Sequence, residues 1–166
     1  MSKVKDVGDA LRKWLGTAEK IVVVGVGNEL RRDDFVGVEI VRRLKGKVPE
    51  DVMLIESETV PESFLETITQ FRPTHVLLID AGLTGLKPGQ IKLMESSEAL
   101  GPATAVSTHT LPLRIFCDYL KKTIDSKVAL AIIQPKTTDF GEGLTQETER
   151  AAQNLTKILT EILSAY

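Results

Sequence analysis

Val22-Val-Val-Gly25-Val-Gly27-Asn28-Glu-Leu-Arg-Arg-Asp33-Asp34-Phe35-Val-Gly37 is the stretch that decides the fold. A β-branched run feeds a glycine turn, and a pair of acids then opens a helix. Strand, turn and helix in that order place carboxylates at the lip of a sheet, where open α/β sheets bind their ligands. Two later segments carry matching chemistry: Leu77-Leu-Ile-Asp80-Ala-Gly82 and Ser107-Thr-His109-Thr-Leu-Pro112. Asp34, Asp80 and His109 together form an oxygen, oxygen and nitrogen set suited to a divalent transition metal.

Working outward, residues 9–19 read as a helix with Leu11, Trp14 and Leu15 on one side, packing on the sheet or on a partner. Ile21 to Val26 reads as a strand buried on both faces. Asp33 or Asp34 caps a helix with Val36, Ile40, Val41 and Leu44 on its apolar face. Residues 52–55 form a second strand, ending in Glu56-Ser57-Glu58. Pro61 opens a short helix with Phe64, Leu65, Ile68 and Phe71 inward, stopped by Arg72-Pro73-Thr74. Residues 76–80 are a third strand and 82–89 a loop, and 90–94 alternates as a half-buried strand does. A polar segment leads to His109 and a helix with Leu113, Phe116, Cys117 and Leu120 inward. Residues 128–133 are the last strand, closed by Gln134-Pro135. A long helix from about Thr145 buries Leu155, Ile158, Leu159 and Ile162.

Strands alternating with helices predict a three-layer α/β sandwich, a mainly parallel, twisted five-stranded sheet with helices on both faces. We expect one domain over residues 1–166, with 1–20 as an N-terminal helical extension. Parallel strands put their carboxyl ends on one edge. Asn28, Asp34, Asp80, His109 and Gln134 all fall at that edge or in loops that reach it.

Each candidate has a plain structural alternative. From pattern alone, Asp33 and Asp34 divide evenly between helix cap and ligand; we assign Asp33 as the cap and Asp34 as the ligand. Asp80 ends a wholly apolar strand, which favours a functional carboxylate over a solvated strand end. His75 begins a strand, so it lies on the edge away from the acids and is expected on the surface. His109 taken singly reads as a hydrogen-bonded loop histidine; beside two aspartates it reads as a ligand. Cys117 lies on an apolar stripe and reads as an inert core thiol. Gly82, Gly85, Pro88 and Gly89 serve turn chemistry or shape a wall beside Asp80.

The chain has 166 residues and a net charge of -2, which excludes an electrostatic nucleic-acid binder. One cysteine excludes both a disulfide framework and a cysteine-rich zinc site. No apolar run reaches membrane-spanning length, so a soluble cytoplasmic protein is expected. Leu30 stands where a dinucleotide fingerprint needs its third glycine. A P-loop, a Gly-x-Ser-x-Gly elbow and a His-Glu-x-x-His helix are all lacking. Ser107 and Thr108 adjoin His109, but sequence neighbours seldom form a nucleophile and base pair.

The motifs in combination resemble the hydrogenase maturation proteases, endopeptidases that process the large subunit of nickel–iron hydrogenases. The matching features are Gly25-Val-Gly-Asn28 with Asp33-Asp34 and Gly37, Asp80-Ala-Gly-Leu-Thr-Gly85-Leu-Lys-Pro88-Gly89, Ser107-Thr-His109-Thr-Leu-Pro112-Leu, and Ile133-Gln134-Pro135. They run in the family's order and span nearly all of the chain beyond its first twenty residues. A glycine often follows the acid pair in that family, and here it is Phe35.

The resemblance implies a twisted sheet between helices and removal of a C-terminal peptide from a large-subunit precursor that already holds nickel. It implies that Asp34, Asp80 and His109 contact the metal and carry the catalysis. Nickel arrives with the precursor, another divalent metal could replace it in vitro, and a monomer suffices for docking. The metal either activates the scissile carbonyl or a water, or serves only for recognition while one carboxylate acts as base. Two rivals belong to other classes. One is a non-proteolytic metal-dependent chaperone or binding protein for the same precursor. The other is a nucleotide-binding module using Gly25-Val-Gly27, with Glu56 or Glu58 on the ribose.

Overall fold

The computed structural model describes residues 3–101, 107 and 109–166. The small-residue segment before Ser107, and Thr108, lie outside the described residues. Five strands form one sheet: β1 (Ile21–Val26), β2 (Val52–Glu58), β3 (His75–Ala81), β4 (Ile91–Glu95) and β5 (Lys127–Ile133). Their order is β2-β1-β3-β5-β4. The first four run parallel, and β4 lies antiparallel on β5, with Ile91 opposite Ile133. The direction of β4 follows from its connection. Residues 82–90 are too few for a crossover helix, so the chain turns at the carboxyl edge and runs back. Gly85 and Gly89 make that turn at φ 74° and 85°.

Among the described residues, six α-helices cover the sheet: α1 (Lys3–Trp14), α2 (Val36–Leu44), α3 (Leu65–Phe71), α4 (Ser96–Ala99), α5 (Thr110–Ile124) and α6 (Gln146–Leu163). Alternate residues of β1 enter opposite cores, which is why the run is apolar throughout. Ile21 and Val23 pack with α1, α2 and α6, whereas Val22, Val24 and Val26 pack with α3, α4 and α5. The expected three-layer sandwich is therefore the fold. Arg43 of α2 joins Glu149 of α6 through two hydrogen bonds of 2.7 Å.

The opening helix starts earlier than its periodicity suggests and ends at Trp14, followed by a tight 3-10 turn over Leu15–Thr17. Val7, Leu11 and Leu15 are buried in the core beside α6, so this helix packs on its own chain. The four-residue α4 was not legible in the pattern. Among the described residues, no helix is long and apolar enough to cross a membrane.

The sheet order makes one switch point. From β1 the chain moves to β2 on one side, then returns to β3 on the other. The crevice between the carboxyl ends of β1 and β3 is where such a sheet binds ligands. Glycines draw the walls together there. A Cβ on Gly27 would overlap the carbonyl oxygen of Asp34, and one on Gly37 the carbonyl oxygen of Ile79. The start of α2 therefore rests directly on β3, one residue before Asp80.

Candidate active site

Asp34 belongs to a 3-10 turn, Arg32–Phe35, that links the glycine turn to α2. Its Oδ2 accepts a 3.0 Å hydrogen bond from the backbone N–H of Asn28. Asp80 is the penultimate residue of β3 and is fully buried. His109 is the N-cap residue of α5. Its Nδ1 lies 3.2 Å from Asp80 Oδ2, and its Nε2 lies 3.6 Å from Asp34 Oδ2. One donor atom from each of the three falls within 4.8 Å of the others. Asp80 and Asp34, 29 and 75 positions before His109, thus meet it in one cluster, as the topology predicts.

Ser107 completes the arrangement in a role that sequence reasoning, which weighed it only as a nucleophile, did not assign. Its hydroxyl donates to Asp80 Oδ2 and accepts a 3.0 Å hydrogen bond from the His109 backbone N–H. Its carbonyl accepts from the Thr110 hydroxyl at 2.6 Å, and it forms a bridge with Gly82. Ser107 is therefore a clamp between the acid and the histidine, not a nucleophile paired with a base. Its place beside His109 in sequence was the available signal. Asp80 Oδ1, by contrast, is buried with no hydrogen-bond partner among the described residues. A buried acceptor left unmade costs about 1–3 kcal/mol, a cost that a cation or a donor at this oxygen would remove.

The electrostatics follow from this packing. Burial pushes the Asp80 carboxyl up, and the nearby Asp34 charge adds to it, against the pull of His109 and Ser107. Burial disfavours a charge on His109 as well. The hydrogen bond to Asp80 and the charges of Asp80 and Asp34 outweigh that cost, raising its proton affinity. Both shifts describe a pair that holds a proton tightly between its members. Arg31, not singled out in the sequence, opposes the His109 charge from the rim and donates to the Thr138 carbonyl at 3.0 Å.

The structure corrects two assignments. Asp33 does not cap α2, whose N-cap is Phe35 with no side-chain cap bond. Its buried carboxylate instead accepts from the N–H groups of Lys136 (2.9 Å), Thr137 (3.3 Å) and Thr145 (2.8 Å), and from the Thr145 hydroxyl (2.8 Å). Burial opposes its charge, but these bonds prevail and hold the carboxyl below its ordinary value. Asp33 thereby fastens the loop before α6 to the turn that carries Asp34. His75 does lie on the opposite edge, but it is buried rather than on the surface. It is 2% exposed, edge-on to the Trp14 ring at 4.9 Å, because α1 closes over that edge.

The remaining candidates frame the crevice. Gln134 accepts from the N–H and hydroxyl of Thr84 at 2.8 and 3.1 Å, pinning the loop after β3. Asn28 braces its own turn by accepting from Leu30 N–H at 2.9 Å. Phe35 is buried under the guanidinium of Arg42. Cys117 is a core thiol, pushed up to about 12 by burial. The nucleotide reading loses its parts. The glycine turn is filled by the chain's own backbone, and Glu56 is engaged by Arg42 at 2.9 Å and by Lys45.

A switch-point crevice holding two carboxylates and an imidazole, with one buried carboxylate oxygen without a partner among the described residues, gives an α/β protein whose donor set could hold a metal ion. A family model described as hydrogenase maturation protease matches residues 38–162. A putative hydrogenase maturation protease of Methanocaldococcus jannaschii is 35% identical over 157 residues, covering 90% of this chain and 91% of the relative. The hydrogenase 3 maturation protease of Escherichia coli is 28% identical over 134 residues, 81% and 85% of the two chains. The crystal structure of a NiFe hydrogenase maturation protease from Thermococcus kodakarensis superposes with a TM-score of 0.85. It is 34% identical, over 93% of this chain and 98% of that one. This chain belongs to the hydrogenase maturation protease family, and it is a hydrolase of the peptidase class.

Proposed function

We propose that the protein removes a C-terminal peptide from the large-subunit precursor of a NiFe hydrogenase, and that it acts on the precursor carrying nickel. Asp34, Asp80 and His109 contact that nickel, which arrives as part of the substrate. The observation that carries this reading is Asp80: one oxygen is held by Ser107 and His109, while buried Oδ1 has no partner among the described residues. An oxygen, oxygen and nitrogen donor set fits nickel, which accepts carboxylate and imidazole together.

Each residue has a role in this proposal. His109 donates Nδ1–H to Asp80, a tautomer inferred from the hydrogen bond, and this puts Nε2 on the Asp34 side, 3.6 Å from its Oδ2. Asp80 presents Oδ1, and Asp34 is steadied by the Asn28 N–H. When present, nickel would polarise the scissile carbonyl or acidify a water beside it. A carboxylate of the pair takes the proton of the attacking water, the carbon–nitrogen bond breaks, and the leaving amine regains a proton. Residues 1–166 act as one domain and as a monomer.

Cleavage of purified precursor, prepared with and without nickel, tests the proposal by mass spectrometry. Loss of a C-terminal peptide from the nickel-loaded form only is expected. Equal cleavage of both forms would remove nickel from the mechanism, and binding without cleavage of either would favour a chaperone.

A further inference from the structure

Exposed large apolar side chains are distributed one-sidedly on this molecule. Among the described residues, Leu30, Val60, Leu83 and Phe140 lie in the connections after β1, β2, β3 and β5, and Leu111 lies in the first turn of α5. All five ring the carboxyl edge. The only others among the described residues, Ile115 and Tyr119, continue from Leu111 at four-residue intervals down the outer face of α5. The amino edge and the outer faces of α2 and α6 present none among the described residues. Singly exposed apolar residues need no account, but a set gathered around one opening marks an interaction surface.

The rim is built, not frayed. Gly141 N–H donates to the Leu30 carbonyl at 2.9 Å, so the turns bearing Leu30 and Phe140 are tied together. Phe140 nevertheless remains 85% exposed. The cluster inside the rim is recessed: the side chains of His109, Asp34 and Asp80 are 13%, 5% and 0% exposed. A polypeptide that approaches the cluster from the carboxyl edge meets the connections that bear these side chains. The points come from five separate segments around an opening, more than one extended strand can touch at once. They suit the surface of a folded partner, with the central apolar contacts such interfaces use. A second copy on the same surface would close the site of a peptidase.

We propose that this rim and the Leu111–Ile115–Tyr119 stripe dock the folded body of the protein substrate, which leans over α5 rather than over α2 and α6. The inference rests on the peptidase reading of the Asp34, Asp80 and His109 site and adds where its substrate sits. Substrate selection then depends on a surface reaching about 12 Å along α5 from Leu111 to Tyr119.

The test replaces Ile115→Glu together with Tyr119→Glu, both away from the recess, and measures cleavage of nickel-loaded precursor. KM should rise at least tenfold with kcat within twofold, and with thermal stability and nickel affinity of the chain unchanged. Lys157→Glu on the outer face of α6 should change neither constant. Ile115→Ser with Tyr119→Ser, a milder pair, should move KM in the same direction. An unchanged KM overturns the proposal. So does a wild-type dimer that the double variant converts to monomer without affecting KM. Precursor binding, read by interferometry, separates the two readings. Binding lost in the double variant without any wild-type cleavage keeps the docking surface and removes the peptidase reading, while no wild-type binding removes both.

Discussion

The two histidines sit at opposite edges of one sheet, both largely buried, and burial alone pushes both towards the neutral form. At the amino edge His75 has an aromatic lid from Trp14, the Thr74 hydroxyl at 2.9 Å and the charge of Lys127 nearby. Burial and Lys127 together depress its proton affinity. At the carboxyl edge His109 faces Asp80 and Asp34, and they reverse the outcome. Neighbours rather than depth decide the sign. The difference teaches how the two ends are made: apolar cover closes the amino edge, and long-range polar bonds assemble the carboxyl edge.

His109→Ala breaks the comparison most sharply. Processing of nickel-loaded precursor should fall by at least about 1000-fold, as loss of a reacting group does, whereas His75→Ala should lower the melting temperature and leave kcat within twofold. Asp33→Ala comes next. It strips four donors of one buried acceptor, so stability should fall by about 3 kcal/mol, or roughly 6–12 °C in melting temperature for a chain of this size. Denaturant melts against an Asp139→Ala control would check it, and an unchanged midpoint would refute the fastening role.

Ser107→Ala should weaken nickel binding about tenfold, the usual cost of losing a partner that orients a ligand. Calorimetry with the metal would show it, and Ser107→Thr, which keeps the hydroxyl, should restore affinity. The smallest effect sharpens the amino edge. The His75 proton affinity is lower folded than unfolded. Its contribution to stability is therefore present above the unfolded value near 6.5 and is lost as pH falls through the folded one. Melting curves from pH 7 to pH 5 should decline more steeply in the wild type than in His75→Gln; parallel curves would contradict the assignment.

Legibility in the sequence divided along the same line. The strands could be read because β1, β3 and β5 are buried on both faces and therefore apolar throughout. Asp34, Asp80 and His109 could be gathered because a parallel sheet puts strand ends on one edge. Asp33 could not be read. An acid before a helix is a common cap, and nothing local announces that its donors lie more than 100 positions away. His75 was misplaced because position along a strand gives the edge but not what covers it, and its cover is α1. Ser107 was visible as a neighbour of His109, but its clamping role needs Asp80, 27 positions earlier.

The bond between Asp33 and Thr145, 112 positions apart, also sets a time. On a ribosome the chain emerges from its amino end, so Asp34 and Asp80 appear long before the donors that hold the turn of Asp33. Until residues 136–145 have been made, the turn of Asp33 and Asp34 is unfastened, and α6 is still missing. The pocket therefore becomes a pocket only after the segment that leads into α6 has been made. A chain made only as far as His109 carries Asp34, Asp80 and the imidazole without the donors that fasten their turn.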